Sequence, residues 1–152
     1  MARVREDAAA RALQIEVVER PNAHSLAEAA ALIGVPVSGI VKSLVVKRSA
    51  HDYLFVLVPG GRKISWPKLR SAVGVNRLSL PDASLALDAT GYERGTITPL
   101  GSRTAWPVFA DASIAGQRIA MGSGAHGYSV FVDADALIES LQAVVADLTD
   151  PE

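Results

Sequence analysis

Two mostly apolar segments lie close together near the middle of the chain, and both are rich in β-branched or aromatic residues. They are Gly39–Lys47 and Tyr53–Val58, separated by the polar residues 48–52. Such segments favour largely buried strands, and the short polar stretch fits a turn. The simplest arrangement is an antiparallel hairpin, around which the rest of the chain has to pack.

Lys42 is an exception within the first of these strands. Alternate residues of a strand share a face, so Lys42 lies on the same side as Ile40, Leu44 and Val46. An unpaired ammonium is costly to bury among apolar side chains. Two interpretations stay open: the side chain reaches solvent along its apolar stem, or it points into a cleft that holds an anionic or carbonyl-bearing ligand.

The composition limits the classes of protein that need to be considered. The 152 residues are 49% hydrophobic and 20% charged, which is typical of one globular domain with a substantial core. The absence of cysteine excludes disulfides, thiolate metal sites and a cysteine nucleophile. The three histidines lie far apart without ligand spacing, so we expect no metal and no cofactor. No apolar run is long enough to span a bilayer and the N-terminus lacks a signal-peptide core, so we expect a cytoplasmic protein without a membrane partner.

Charge is unevenly distributed along the chain, although the net charge is only −1. This value argues against a protein that coats nucleic acid, and DNA is not an expected partner. Five basic residues and no acidic ones lie between Asp52 and Asp82, whereas six acidic residues and no Lys or Arg follow Arg118. Two interpretations are open: contact with a short piece of a polyanion, or ordinary solvated faces.

Local patterns predict the remaining elements. Ser25 and Glu28 form a capping-box pattern before a helix that Gly34 ends, and Ser65 caps a short helix with Pro67 in its first turn. The other predicted helices cover 3–14, 81–88 and 136–145, and the other predicted strands 15–19, 76–80, 106–111, 117–121 and 128–132. Without repeats or linkers, residues 1–152 are expected to form a single α+β domain around a mixed sheet.

The segment Gly91–Gly101 has the composition of a shaped loop. Gly95 and Gly101 permit positive φ, and Pro99 fixes the backbone between them. A loop of this kind can present backbone N–H groups and the hydroxyls of Thr96 and Thr98 at a defined place. A plain connection between a helix and a strand is the alternative.

The segment Gly122–Gly127 spells G-x-G-x-x-G, the pattern of dinucleotide-binding proteins. We reject that function because the pattern requires a following helix, whereas Tyr128–Val132 is predicted to be a strand. A glycine-rich loop between two strands is expected instead, either purely structural or able to bind an oxyanion through its N–H groups. His126 is its candidate for a polar contact or proton relay, and Ser123 has no recognisable triad around it.

Three pieces together, in this order, resemble the YbaK/ProX family of aminoacyl-tRNA editing domains, which also occur inserted in bacterial prolyl-tRNA synthetases. Gly39–Val45 matches the lysine strand of that family. Gly91-Tyr92 followed by Gly95–Pro99 resembles its G-x-x-x-P loop, and Gly122–Gly127 with the strand, Asp133 and residues 135–137 resembles its last loop, strand and helix. The resemblance covers nearly the whole chain, from the helix after Ser25 onward. It implies a mixed, curved sheet flanked by helices.

The resemblance also implies an activity and a site. The family hydrolyses the ester between a wrong amino acid and the 3′ adenosine of tRNA, and Lys42 takes the place of its functional lysine. Since an aminoacyl ester is already labile, positioning a water and stabilising the oxyanion suffice, and no covalent nucleophile is expected. Ser43 stands where some members carry asparagine. The implied substrate-binding residues are Ser43, Gly95, Thr96, Thr98, Pro99, Gly122, Ser123, Gly124, His126 and Gly127.

The expected function is therefore that of a free-standing trans-editing hydrolase, a deacylase of tRNA(Pro) that carries alanine, cysteine or another small residue. Its expected partner is the acceptor end of the mischarged tRNA, and the resemblance also allows an aminoacyl-tRNA synthetase that hands the tRNA over. The alternative is a non-catalytic module of the same fold that binds a nucleotide or a tRNA end.

Overall fold

The predicted hairpin is present at the centre of the protein, in a computed structural model that describes all 152 residues. Its two strands, β2 (Val41–Ser49) and β3 (Asp52–Pro59), pair antiparallel, with Lys42 opposite Val58 and a turn at residues 50–51. The helices are α1 (Ala2–Ala10), α2 (Leu26–Ile33), α3 (Trp66–Val73), α4 (Ala83–Thr90) and α5 (Ala134–Leu141). The strands are β1 (Glu16–Glu19), β2 (Val41–Ser49), β3 (Asp52–Pro59), β4 (Arg62–Ile64), β5 (Val108–Asp111), β6 (Arg118–Gly122), β7 (Tyr128–Asp133), β8 (Val144–Ala146) and β9 (Thr149–Pro151).

The strands form the mixed sheet arrangement that the sequence predicts. One sheet has the order β2-β3-β5-β8, in which β5 runs parallel to both β3 and β8. A second sheet, β1-β7-β6, is antiparallel throughout. A parallel bridge between Ile40 and Ala120 joins the start of β2 to β6, so the two sheets meet at this point. The α+β class is thereby confirmed.

Strand β3 is buried on both faces, which explains why its sequence is continuously apolar. Phe55 and Leu57 belong to the larger of two core clusters, whereas Leu54, Val56 and Val58 belong to the smaller one. Helices α1 and α5 pack on the larger cluster, and Leu69 of α3 packs on the smaller one. No helix is both long and apolar enough to cross a membrane.

Short polar side chains cap the first turns of α2 and α5. Ser25 Oγ accepts a hydrogen bond from the Glu28 N–H at 3.0 Å, and Asp133 Oδ2 accepts one from the Ala136 N–H at 2.9 Å. Each bond satisfies one of the N–H groups that the first turn of a helix leaves free. Gly34 ends α2 in the left-handed conformation, with φ of 76°.

Two predicted helices extend too far at their C-terminal ends, and one predicted strand is absent. The first helix ends at Ala10 instead of residue 14. Residues 76–80 contribute only one bridge, between Lys47 and Ser79, and form no strand. The last helix ends at Leu141 instead of residue 145, because Gln142 is left-handed (φ 52°) and the β-branched pair Val144–Val145 joins β8, parallel to β5. No sequence pattern indicates β4 and β9, which are three residues long and pair with each other.

The basic stretch between Asp52 and Asp82 contacts the acidic C-terminal part of the chain through Lys68. Lys68 Nζ lies 3.1 Å from an Asp147 carboxylate oxygen and 3.0 Å from one of Asp150, and it donates to the Thr149 carbonyl at 2.9 Å. Hydrogen bonds to Asp150 and Asp147 raise the pKa of the Lys68 ammonium above its ordinary value. The charge of Lys68, one of the five basic residues of this stretch, is therefore neutralised within the chain.

Asp111 is a buried carboxylate that connects β5 to the same C-terminal segment. Its side chain accepts hydrogen bonds from the Leu148 N–H at 2.9 Å, the Thr149 hydroxyl at 3.0 Å, and both the N–H and hydroxyl of Ser113. The residue is 2% exposed. Burial alone would raise the pKa of Asp111, but these hydrogen bonds outweigh it and hold the pKa below its ordinary value.

Replacing Asp111 by asparagine is expected to lower the free energy of unfolding at pH 7 by about 2–3 kcal/mol, since buried donors lose a charged acceptor. Because the pKa is lower in the folded state, the contribution of the carboxylate is complete above the unfolded value, near 4, and is lost as the pH falls through the folded pKa. Urea unfolding at pH 7, 5 and 3 should therefore show the difference between wild type and Asp111→Asn narrowing at pH 3. Asp147→Asn, at an exposed carboxylate, is the control. If the free energies of unfolding of wild type and Asp111→Asn differ equally at pH 7 and pH 3, this account is contradicted.

Candidate functional site

The segment Gly91–Gly101, here called the proline loop, connects α4 to β5 and is held by its own hydroxyl groups. The Thr96 hydroxyl donates to the Glu93 carbonyl at 2.8 Å, and the Thr98 hydroxyl accepts from the Leu100 N–H at 3.2 Å. Both threonines are buried, at 3% and 0% exposure. Their hydroxyls therefore fix the shape of the loop from inside. Gly95 lies exposed at its turn with φ of 91°.

The segment Gly122–Gly127, here called the glycine hairpin, connects the antiparallel strands β6 and β7. A strand follows the glycines, which confirms the physical ground for rejecting the dinucleotide-binding pattern. Ser123 is fully buried, and its hydroxyl lies within hydrogen-bond distance of the Ala125 carbonyl (2.8 Å), the Ala125 N–H (3.2 Å) and the Tyr128 carbonyl (3.0 Å). Ser123 thus holds the hairpin in shape. The N–H groups of the exposed residues His126 and Gly127 donate to no other protein group.

The two loops pack directly against each other, although about 20 residues of sequence separate them. The Gly124 N–H donates to the Thr96 carbonyl at 2.9 Å. A Cβ on Gly122 would lie 2.3 Å from the Ile97 carbonyl oxygen, and one on Gly124 would lie 2.7 Å from a carbon of the Tyr92 ring. Only glycine allows backbone approach at these distances. The proline loop and the glycine hairpin consequently form one continuous surface.

An exposed polar pair spans the two loops. His126 Nε2 of the glycine hairpin lies 2.9 Å from a Glu93 carboxylate oxygen of the proline loop. Both side chains are about two-thirds exposed, at 66% and 70%. Water competes with an exposed pair of this kind, so it contributes little to stability. It does place an imidazole and a carboxylate at the open edge of the loop surface.

Lys42 lies at the start of β2, close to the point where this part of the chain meets β6. Two residues before Lys42, Ile40 forms an isolated parallel bridge with Ala120, which lies two residues before Gly122, the first residue of the glycine hairpin. The Lys42 side chain is exposed, and its ammonium makes no salt bridge or hydrogen bond. The ammonium thus carries no burial cost and is free to meet an anionic or polar ligand.

Ser43 lies on the other face of the same strand. It is 8% exposed, between Val41 and Val45 of the larger core cluster, and its hydroxyl has no hydrogen-bond partner. A buried unpaired hydroxyl typically costs about 1–3 kcal/mol. Alternation along the strand directs Ser43 away from the face of Lys42, so the two neighbours do not contact one ligand from the same side.

The remaining predicted residue, Pro99, is buried and lines a different cavity. This cleft has a volume of about 300 Å³ and lies between residues 105–109 and the end of α5. Neither Lys42 nor any residue of the glycine hairpin lines it. The structure therefore packs the glycine hairpin on the proline loop, leaves Lys42 exposed near the start of β2, and places Pro99 at the back of the loop.

Two residues of the proline loop that contact the glycine hairpin are not among those expected from the sequence. Tyr92 packs against Gly124, and Glu93 pairs with His126. The only signal for Tyr92 is its place directly after Gly91, in the segment that resembles the G-x-x-x-P loop of the family. Nothing in the sequence indicates the partner of Glu93, which lies 33 residues away.

Comparison with known proteins assigns the family. The model of the family described as "Aminoacyl-tRNA editing domain" matches residues 20–140. The chain belongs to the aminoacyl-tRNA editing domain family. The matched range contains Lys42, the proline loop and the glycine hairpin, so every predicted site residue lies within the part that defines this editing domain.

Individual relatives of this editing domain are similar to it over different lengths. Proline–tRNA ligase of Desulfovibrio desulfuricans is 32% identical over 140 residues, which cover 88% of this chain and 24% of that enzyme. Proline–tRNA ligase of Thermosipho africanus is 33% identical over 88 residues, covering 58% of this chain and 16% of the enzyme. The chain thus spans a quarter or less of the length of these curated relatives.

A solved structure of similar size has the same fold. The crystal structure of a candidate trans-editing enzyme for prolyl tRNA synthetase superposes with a TM-score of 0.89 at 27% identity, and the match covers 98% of this chain and 96% of the other. The agreement extends over essentially the whole of both chains. The editing-domain fold therefore accounts for the mixed sheet, both loops and the flanking helices.

Proposed function

We propose that this editing domain is a trans-editing hydrolase that removes the amino acid from mischarged tRNA. The proposed substrate is tRNA(Pro) that carries alanine, cysteine or another small residue, in the cytoplasm, with residues 1–152 acting as one editing unit. The observation that carries the proposal is that the glycine hairpin packs on the proline loop directly after β6, the strand that meets the chain at Ile40, two residues before the exposed Lys42. Similarity to proline–tRNA ligases and to a candidate trans-editing enzyme supports the choice of tRNA.

The proposed roles follow from the groups that are free to act. The Lys42 ammonium, without an internal partner, binds the phosphate or ribose of the terminal nucleotide. The free N–H groups of His126 and Gly127 face the ester carbonyl and stabilise the oxyanion that develops as water attacks. Backbone donors are effective here because they are already oriented before the reaction starts.

In the same scheme the buried hydroxyls have a supporting role. Thr96, Thr98 and Ser123 keep the shape of the two loops through their internal hydrogen bonds, and Gly95 leaves the turn of the proline loop open to the terminal adenosine. No side chain acts as a covalent nucleophile. The water itself attacks the carbonyl carbon, and the tRNA 3′ oxygen leaves with the proton.

The test is deacylation of a panel of charged tRNAs by the purified protein. Alanyl-, cysteinyl- and seryl-tRNA(Pro) are the candidate substrates, and correctly charged prolyl-tRNA(Pro) is the control. We expect turnover of one small mischarged species with prolyl-tRNA(Pro) spared. Because one methylene is worth only about 1–3 kcal/mol of discrimination, partial turnover of a neighbouring species is also expected. Binding of tRNA without turnover of any species would instead identify a non-catalytic module.

A further inference from the structure

The N-terminal helix α1 lies outside the residues that match the family model, yet it contacts the proline loop along its length. The family match begins at residue 20, whereas α1 covers Ala2–Ala10. Val4 and Ala8 are buried at 0% and 2% exposure in the larger core cluster, so one face of the helix is firmly docked. This docking gives the polar residues of α1 fixed positions next to the loop.

Arg3 holds the start of the proline loop. Its guanidinium lies 4.6 Å from the centre of the Tyr92 ring and donates to the Thr90 carbonyl at 2.9 Å. A Cβ on Gly91 would be 2.6 Å from two of the guanidinium nitrogens, so the glycine is what admits the side chain. A planar cation can stack on the ring and hydrogen-bond at its edge at once, which an ammonium does less well.

Asp7 holds the other end of the loop. One carboxylate oxygen accepts from the Gly101 N–H at 2.8 Å, and the other accepts from the Arg11 guanidinium at 3.0 Å. Arg11 in turn donates to the Ser140 carbonyl at the end of α5, at 2.8 Å. The carboxylate is thereby oriented from both sides, and α1 is connected to the body of the protein through α5.

Tyr92 carries these contacts on to the reacting surface. Its hydroxyl donates to the Leu100 carbonyl at 2.7 Å, and its ring lies against Gly124 of the glycine hairpin. Displacement of the ring would change the position of both loops. A shift of about 1 Å in such a support can lower the rate of a positioned reaction by one to two orders of magnitude.

We infer that Arg3 and Asp7 are positioning residues of the editing site, and that α1 is a brace that sets the spacing of the proline loop and the glycine hairpin. The inference rests on the proposed function for its kinetic part. Neither residue contacts substrate; both act through Tyr92, Gly101 and the backbone between them.

The first measurement determines kcat and KM separately, with the edited aminoacyl-tRNA as the substrate. For Arg3→Met we expect kcat to fall about tenfold with KM within about twofold, because the donors facing the ester move while nucleotide binding persists. Arg3→Lys should recover part of this loss, since it keeps the cation near the ring. The matched control is Arg5→Met, at an exposed arginine on the same helix whose side chain makes no hydrogen bond or ion pair. An unchanged kcat in Arg3→Met would overturn the inference.

The second measurement follows the loops without substrate. Amide hydrogen exchange at Gly101 and Gly124 should be about tenfold faster in Arg3→Met and Asp7→Ala than in wild type or Arg5→Met. Asp7→Asn, which keeps an acceptor for the Gly101 N–H, should stay closer to wild type. Unchanged exchange at Gly124 would overturn the brace. If the wild type deacylates no tRNA, the proposed function fails, and the exchange result decides by itself whether α1 supports the loops.

Discussion

Replacement of Lys42 by alanine is expected to lower deacylation of the edited aminoacyl-tRNA by about 100-fold or more, which is typical for removal of a positioned charged donor from a reaction site. The side chain is exposed, free of internal partners and two residues after Ile40, which bridges β6 at Ala120. Its loss removes no packing, so the midpoint of thermal unfolding should stay within a few degrees of wild type. Single-turnover deacylation and circular dichroism melting measure the two quantities.

Two further variants test whether position or charge is responsible. Lys63→Ala removes an exposed lysine from β4 that also has no ion pair, and it should leave deacylation unchanged. Lys42→Arg keeps the charge on a longer, planar group and should recover only part of the activity. Unaltered deacylation by Lys42→Ala would remove Lys42 from the mechanism. If wild type binds tRNA without deacylating it, and Lys42→Ala only lowers the affinity for tRNA, the protein is the non-catalytic binding module.

Replacement of Gly122 by alanine is expected to produce the second large effect, a loss of about 100-fold in deacylation together with about 1–3 kcal/mol in the free energy of unfolding. The new Cβ would lie 2.3 Å from the Ile97 carbonyl oxygen and 2.9 Å from that of Thr96. Both atoms belong to the backbone, which cannot rotate away as a side chain can. The proline loop and the glycine hairpin therefore have to separate. Urea unfolding gives the change in the free energy of unfolding. Deacylation compared at equal concentrations of folded protein gives the change in activity.

The control for this variant has to match its cost in stability. Gly74→Ala introduces a Cβ into open space at the end of α3, but in a left-handed conformation with φ of 81°, which costs about 1 kcal/mol or more. It should destabilise the protein and leave deacylation intact. If Gly122→Ala and Gly74→Ala lose activity in proportion to stability alone, the spacing of the two loops has no role in the reaction.

Local chemistry predicts much of this fold, because several segments permit only one structure. The continuous apolar sequence of β3 fits a strand that is buried on both faces, and short polar side chains such as Ser25 and Asp133 satisfy the first turns of their helices wherever the chain goes next. The lysine strand and both glycine-containing loops are likewise visible in the sequence. The family resemblance rests on these pieces and is confirmed.

Tertiary structure decides what local sequence leaves undetermined. Residues 143–145 could continue an amphipathic helix or form a strand, and pairing with β5 selects the strand. The contact of Gly122 with Ile97, the pairing of His126 with Glu93 and the support of Tyr92 by Arg3 join segments from 25 to 89 residues apart. Residue types indicate that such groups are available. Only the packing of the sheets and of α1 around the core brings them within contact distance, because a contact between distant segments depends on the positions of all the elements between them.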